Sequence, residues 1–124
     1  MIYLIDTNIL INHLRGEEGA TAFLLQVEAG RARACVSVIT EYELLAVPRL
    51  TPHQAHEIAR LLALLPTLIV TSRVVRVAAE CHRRYQLNLA DALIAATALV
   101  RRATLVTRNV RDFKPVHGLQ LHSF

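Results

Sequence analysis

Tryptophan is absent from this sequence, and glycine and proline occur only four times each. Aromatic residues make up 5% of the chain, whereas hydrophobic residues of all kinds make up 53%. This composition excludes a disordered tail and predicts a well-filled aliphatic core. A chain of 124 residues is long enough for one such core and too short for two, so we expect one domain over residues 1–124.

Long apolar runs are also missing. The run "LLALLPTLIV" is interrupted by Pro66, and "ALIAATALV" falls well short of the ~20 residues that a spanning helix needs. The N-terminus has no basic leader, and Asp6 interrupts its apolar run. These features predict a cytoplasmic protein without a membrane segment.

Cysteine is too scarce for a disulfide scaffold. Cys35 and Cys81 form no Cys-x-x-Cys pattern, and we expect both to be small buried hydrophobic residues.

The charge is asymmetric. The sequence contains thirteen arginines and one lysine, Lys114, but only ten acidic residues. If three acids belong to one site, seven remain against 14 basic residues, and the rest of the surface carries +7. Such a surface favours a polyanion such as nucleic acid. A GC-rich genome would also explain the preference for Arg over Lys, but not the excess of positive charge.

Strand-like and helix-like runs alternate along the chain. Helices are expected to follow "IYLI" as far as about Leu14, to run from about Ala20 to Glu28, and to begin near Thr40 and at Pro52. Later helices cover "RVVRVAAECHRRY" and "ADALIAATALVRR", and the other strands are "ACVSV", "TLIVT", "TLVT" and "LQLH". Alternation of this kind predicts an α/β fold, a three-layer α/β/α sandwich around a central parallel sheet.

An acid ends the first predicted strand, in "MIYLIDTNIL". An ionised Asp6 at that point costs several kcal/mol unless a partner or a ligand compensates it. It either caps the next helix or has a chemical function. Ligands bind beyond the carboxyl ends of the strands in open parallel sheets, and Asp6 is expected at such an end.

Other acids stand at similar junctions, and each has a structural alternative. Glu43 could close a capping box with Thr40, and Glu41, two residues away, faces another side of the predicted helix. Asp91 lies in a predicted first helical turn, where Asn88 could be the cap.

The last junction is "TLVTRNVRDF". There Asn109 could form an Asx turn, and Asp112 could be a solvated surface acid.

Together these acids would gather at one edge of the sheet. Carboxylates that cluster repel one another and raise one another's pKa unless a cation is bound. Oxygen ligands without Cys or His favour Mg²⁺ or Mn²⁺. His53 and His56, at i,i+3, have no third ligand nearby for zinc, and we expect surface histidines.

Four segments, "LIDTNIL", "SVITEYELL", "LNLADALIAATAL" and "LVTRNVRDF", resemble the signature segments of PIN-domain ribonucleases. The resemblance is greatest to the VapC-like toxins of bacterial and archaeal toxin–antitoxin pairs. It runs from Met1 to Phe124 and keeps the order of the motifs.

The resemblance implies that Asp6, Glu43 and Asp91 bind Mg²⁺ or Mn²⁺. The Ile-Thr-x-x-Glu-Leu pattern selects Glu43 over Glu41. At a fourth position this sequence has Asn109, where many relatives have Asp, and Asp112 could share its role.

Further residues follow from the same resemblance. Thr7 and Thr107 would orient the ligands through their hydroxyls as part of the substrate site. Arg108 and Arg111 would hold the phosphates of an RNA substrate.

The implied function is that of a metal-dependent endoribonuclease, the toxin of a pair, acting as a homodimer. Its inhibitor would be a small antitoxin whose tail occupies the acidic cleft. One alternative is a catalytically inactive PIN-like module that binds nucleic acid or protein. Another is a phosphatase of the haloacid-dehalogenase type with Asp6 as nucleophile, which needs a second Asp where this chain has Asn8.

Overall fold

A computed structural model describes all residues, 1–124. The chain contains five strands and seven helices. In chain order they are β1 (Tyr3–Ile5), α1 (Thr7–Leu14), α2 (Glu18–Glu28), β2 (Ala34–Ser37), α3 (Val38–Leu45), α4 (Pro52–Leu64), β3 (Thr67–Leu68), α5 (Ser72–Tyr85), α6 (Leu89–Arg101), β4 (Thr104–Val106), α7 (Val110–Phe113) and β5 (Leu121–His122).

The strands form one parallel sheet in the order β3-β2-β1-β4-β5. Strand β1 is central: Leu4 is in register with Cys35 of β2 on one side and with Leu105 of β4 on the other. All five carboxyl ends therefore lie at the same edge. The residues that directly follow β1 and β4 are neighbours there.

Both faces of the sheet are covered. Leu4 and Leu105 pack into a core formed with α5, α6 and α7, whereas the next residues, Ile5 and Val106, pack into a second core formed with α1, α2, α3 and α4. This alternation follows from the pleat, which turns successive side chains to opposite faces. The predicted α/β/α sandwich with a central parallel sheet is confirmed.

The start of α3 differs from the prediction. This helix begins at Val38, and the side chain of Ser37 is its cap, since Ser37 Oγ accepts a hydrogen bond from Ile39 N. Thr40 is a buried residue inside the helix, so the structural alternative for Glu43, a capping box with Thr40, is wrong. The β-branched residues Val38 and Ile39 resemble a continued strand in the sequence and hide the junction.

The other boundaries are closer to expectation. Helix α2 begins at Glu18, two residues before the predicted start, and the "TLIVT" strand shrinks to Thr67–Leu68. Pro52 occupies the first turn of α4, as predicted. Cys35 and Cys81 are free and buried, which confirms their assignment to the core.

One histidine is not a surface residue. The side chain of His13 is only 14% exposed, and its ring nitrogens lie 2.8 Å from Thr21 Oγ1 and 2.6 Å from Glu57 Oε2. These contacts join α1 to α2 and α4. His53 and His56 are exposed, as expected.

None of the seven helices is both long enough and apolar enough to span a lipid bilayer.

Candidate functional site

The candidate site lies at the carboxyl edge of the sheet, where β1 and β4 end side by side. The backbone N–H of Asp6 donates to the Val106 carbonyl at 2.9 Å, which extends the pairing of the two strands by one step. Asp6 is therefore held beside Thr107. Both residues are almost completely buried, at 4% and 0% exposure.

Three donors converge on the Asp6 carboxylate. Thr7 N donates to Oδ1 at 2.8 Å, and Oδ2 accepts from Thr107 Oγ1 at 2.8 Å and from Asn8 Nδ2 at 3.1 Å. Asp6 is also the N-cap of α1. Capping does not exclude a chemical role, because each carboxylate oxygen keeps acceptor capacity beyond these bonds.

Asp6 is under electrostatic strain in the absence of a cation. Burial raises its pKa to about 6, the bond from Thr107 opposes that rise, and the charges of Asp91 and Glu43 add to it. The ionised form of Asp6 is therefore less favoured, relative to the protonated form, than that of an ordinary solvated aspartate. A bound cation would relieve both the desolvation and the repulsion.

Glu43 reaches the site from α3. Its Oε1 accepts a hydrogen bond from Thr7 Oγ1 at 2.7 Å, and the same hydroxyl lies 2.9 Å from Thr40 Oγ1. A hydroxyl has one hydrogen, and the carboxylate is the stronger acceptor, so Thr7 donates to Glu43. Glu41, two residues earlier on α3, makes no such contact.

Asp91 lies in the first turn of α6. Its backbone N–H donates to Asn88 Oδ1 at 2.8 Å, so Asn88 is the cap, as the sequence allowed. Burial raises the pKa of the Asp91 carboxyl, and the charges of Asp112 and Glu43 add to the rise. The charges of Glu43 on α3 and Asp91 on α6 thus both act on Asp6, which follows β1, and the charge of Glu43 also acts on Asp91.

The fourth junction is more open. Asn109 N donates to Thr107 Oγ1 at 2.9 Å, and Asn109 Nδ2 donates to Asp112 Oδ2 at 3.0 Å. The Asn109 side chain forms no cap for α7. Asp112 is exposed, and it faces Asp91 closely enough to raise the pKa of that carboxyl.

The two arginines differ in their surroundings. Arg108 pairs with the Glu17 carboxylate, donates to the Phe124 carbonyl and places its guanidinium carbon 4.5 Å from the centre of the Phe124 ring. It would have to exchange these contacts to hold a phosphate. Arg111 is exposed and forms no ion pair; it lines a cavity of about 340 Å³ with Asp91 and Asp112.

The donor set fits a hard divalent cation, although the ligands are not drawn together. No three His, Cys, Asp or Glu side chains come close enough to form a group that could hold a metal ion. The side chains of Asp6, Glu43 and Asp91 offer only carboxylate oxygens, which Mg²⁺ and Mn²⁺ prefer. A cation would reverse the rise in the pKa of Asp6 and of Asp91.

Two residues at this edge were not predicted to take part. Asn8 Nδ2 donates to Asp6 and lies 3.4 Å from Thr107 Oγ1, while Asn8 Oδ1 accepts from Arg108 N at 3.2 Å. Thr40 is the other, through its contact with the Thr7 hydroxyl. The polar tripeptide Asp6-Thr7-Asn8 after a buried strand is a signal for Asn8, and the Ile-Thr-x-x-Glu-Leu pattern, which includes Thr40, is a signal for Thr40.

The contact between Thr107 and Asp6 gives a first prediction. Thr107→Val keeps the shape but removes a donor to a buried carboxylate, and we expect a loss of about 2 kcal/mol in the free energy of unfolding at pH 7.5. At pH 5, below the raised pKa of Asp6, the loss should be smaller because a protonated Asp6 is neutral. Urea unfolding without metal at both pH values measures this.

The matched control is Thr107→Ser, which keeps the hydroxyl. Thr107→Ser should lower the free energy of unfolding by about 1 kcal/mol because of the lost methyl group. This loss should be the same at both pH values. Equal losses at pH 5 and pH 7.5 for Thr107→Val would contradict a role for this hydroxyl in holding the Asp6 charge.

The parallel sheet and the carboxylates at its carboxyl edge are consistent with the protein family that the chain matches. The profile of the PIN domain family matches residues 3–118. The chain belongs to the PIN domain family.

Similar proteins include a ribonuclease and a chain of a toxin–antitoxin complex. The chain is 36% identical to Ribonuclease VapC19 of Mycobacterium tuberculosis, over 94% of this chain and 96% of the relative. It is similar to a chain of a toxin–antitoxin complex from Klebsiella pneumoniae, with a TM-score of 0.78, 30% identity and 94% coverage of both chains.

A third similarity concerns the fold alone. A chain of VapBC2 from Rickettsia felis, crystallised with a DNA fragment from the promoter, matches with a TM-score of 0.82 at 22% identity, over 100% of this chain and 99% of the other.

Proposed function

We propose that this chain, as one PIN domain over residues 1–124, is a metal-dependent endoribonuclease and the toxin of a toxin–antitoxin pair. The observation that carries the proposal is a set of three carboxylates at the carboxyl edge of the sheet, in which the charges of Glu43 and Asp91 raise the pKa of the buried Asp6. Membership of the PIN domain family and 36% identity to a protein named a ribonuclease support it.

The three carboxylates would hold Mg²⁺ or Mn²⁺. A bound ion of this type would supply Lewis acidity, stabilising the charge that develops on an RNA phosphodiester and promoting ionisation of the attacking water. Thr107 and Asn8 orient Asp6 through hydrogen bonds, and Thr7 orients Glu43. The two threonines are buried, so they act as positioning residues and do not contact substrate themselves.

The remaining polar groups of the site have different tasks. A hydrogen bond joins Asn109 to Asp112, which lies near Asp91. The amide oxygen of Asn109 or a carboxylate oxygen of Asp112 would accept a hydrogen bond from water or bind the ion. Arg111 would bind a backbone phosphate directly because its guanidinium has no ion-pair partner. Arg108 would do so after leaving Glu17.

The partners follow from charge and from the relatives. A net charge of +4 overall, higher outside the acidic site, suits RNA as substrate. A similar solved chain belongs to a toxin–antitoxin complex, which supports a small antitoxin as inhibitor of this chain. A homodimer in the cytoplasm completes the proposal.

Metal removal tests the mechanism. Purified protein should cleave single-stranded RNA in Mn²⁺ or Mg²⁺, lose this activity in EDTA and regain it when excess ion is added back, because the carboxylates alone cannot offset the charge on a phosphodiester. Gel analysis of a labelled oligoribonucleotide measures the products.

Asp91→Asn protein, purified in parallel, controls for a contaminating nuclease. Full cleavage after chelation would contradict the metal-dependent mechanism. RNA binding without cleavage in either ion would favour the alternative, an inactive PIN-like binding module.

A further inference from the structure

We propose that the cavity beside Asp91 is a nucleobase pocket, which binds the base of a nucleotide adjacent to the cleaved phosphate and determines sequence preference. The inference rests on the proposed nuclease function. The cavity measures about 340 Å³ and lies between the loop that joins α5 to α6 and the segment that contains α7. Asp91 and Asp112 form the side of the cavity toward the acidic site.

The cavity has an apolar part. Leu87 and Pro115 contribute to its lining, and Tyr85 adds an aromatic residue. The phenol oxygen of Tyr85 accepts a hydrogen bond from His117 N at 3.0 Å, which fixes the ring. An aromatic side chain held in this way is the usual stacking partner of an unpaired RNA base.

The cavity also has free hydrogen-bonding groups. Asn88 uses Oδ1 to cap α6, which leaves Nδ2 without a protein partner. Neither the Gln86 side-chain amide nor the Arg111 guanidinium bonds to another protein group, and all three side chains are exposed. Side-chain amides read the edges of bases, and a guanidinium beside them can hold the phosphate of the same nucleotide.

The backbone that presents these amides is fixed. Gln86 adopts a left-handed conformation, φ 58°, at the end of α5, and its N–H donates to the His82 carbonyl at 2.9 Å. His82 Nδ1 lies 2.7 Å from the Leu87 carbonyl. A preformed loop of this kind spends little free energy on ordering when a ligand binds.

The position of the cavity relative to the acidic site determines which nucleotide places its base there. Asp91 belongs both to the acidic site and to the lining of the cavity, so a phosphodiester held by the carboxylate site has its neighbouring base within reach of the cavity. Arg111 on the same lining offsets part of the charge of Asp91 and Asp112 and offers a cation to the phosphate of the nucleotide.

Base preference is the first test. Four oligoribonucleotides that differ only in the base next to the cleaved bond are compared by kcat/KM, for the wild type, Asn88→Ser and Gln86→Met. Serine still caps α6, and methionine keeps the shape of glutamine. We expect at least one variant to change the ratio between the preferred base and the others by about fivefold or more. Gln26 is exposed on α2, remote from the cavity. Gln26→Met is therefore the matched control and should leave the ratio of kcat/KM between bases unchanged.

The ring is tested separately. Tyr85→Leu should lower kcat/KM by about fivefold or more through loss of stacking, and Tyr85→Phe should retain most of it. If the wild type cleaves RNA but the base ratios of Asn88→Ser and Gln86→Met equal those of the wild type, the pocket does not read a base and the inference is overturned, while the nuclease proposal stands.

A binding measurement keeps the inference testable if no cleavage occurs. The four ribonucleoside 5′-monophosphates are titrated into wild-type protein, and the NMR signals of the Asn88 and Gln86 side-chain amides are followed. Saturable shifts that differ among the four bases would support the pocket even if the nuclease proposal fails. No shift at these amides, in protein that also cleaves nothing, would overturn both.

Discussion

Asp6→Asn should abolish cleavage while preserving or increasing stability in the absence of metal. The carboxylate contributes charge to the ion-binding set, and without it we expect kcat/KM to fall by about a thousandfold, roughly 4 kcal/mol of transition-state stabilisation. Asn has nearly the same shape and caps a helix about as well as Asp. The two effects therefore separate chemistry from folding.

The stability effect depends on pH in a definite direction. Because the pKa of Asp6 is raised from 3.8 to about 6 in the folded protein, the folded state favours the protonated form. In metal-free protein the contribution of Asp6 to the free energy of unfolding is fully present below pH 4 and is lost as pH rises past 6, a change of roughly 3 kcal/mol. The amide introduced by Asp6→Asn does not ionise, so the variant escapes this loss.

Hydrogen bonding limits the gain in stability that we expect from Asp6→Asn. Asp6 Oδ2 accepts from both Thr107 and Asn8, and an amide nitrogen in that place would require Thr107 to reverse its hydroxyl and Asn8 to turn. We therefore expect Asp6→Asn to be no more stable than the wild type at pH 4 and about 1 kcal/mol more stable at pH 7.5. Thermal melts in EDTA at both pH values, paired with a cleavage assay in Mn²⁺, measure the two effects. An active Asp6→Asn protein would mean that this carboxylate is only a cap.

The second large effect separates two glutamates on one helix. Glu43→Gln should lose nearly all activity, because Glu43 carries charge into the acidic site and accepts the Thr7 hydroxyl at 2.7 Å. Glu41→Gln should retain most activity, since Glu41 lies on another face of α3. Cleavage rates in Mn²⁺ compare the two variants.

The pair is internally controlled, because each change removes one negative charge from the same helix. Circular dichroism melts should show both proteins folded. The opposite pattern, an inactive Glu41→Gln and an active Glu43→Gln, would place the wrong glutamate in the site.

Local sequence patterns predict the framework of this molecule well. Short apolar runs alternate with helical stripes, and each strand side chain finds a core on one face or the other, as for Leu4 and Ile5. The parallel sheet follows because helical crossovers join the strands. The predicted end of β1 is correct because Asp6 stops the apolar run, whereas β3 ends three residues before Thr71, the polar residue that closes "TLIVT".

Local sequence patterns do not identify the partners in contacts between distant segments, although the resemblance implies that Thr7 and Thr107 orient the ligands. The hydroxyl of Thr7 binds a carboxylate 36 positions away, and Arg108 pairs with Glu17 across most of the chain. No periodicity encodes such pairs, since they depend on the packing of whole helices. The predicted start of α3 was wrong for another reason, because tertiary packing overrides the strand propensity of Val38 and Ile39.

The two cores of the sandwich also set the spacing of the carboxylates. Glu43 is carried by a helix whose Leu44 is buried on one side of the sheet, and Asp91 by a helix whose Ala92 and Ile94 are buried on the other. The gap between these two acids is thus a measure of how the outer layers are aligned across the sheet. In the proposed mechanism any shear of one layer against the other would change the width of the ion site, so catalysis would require the whole sandwich to be rigid.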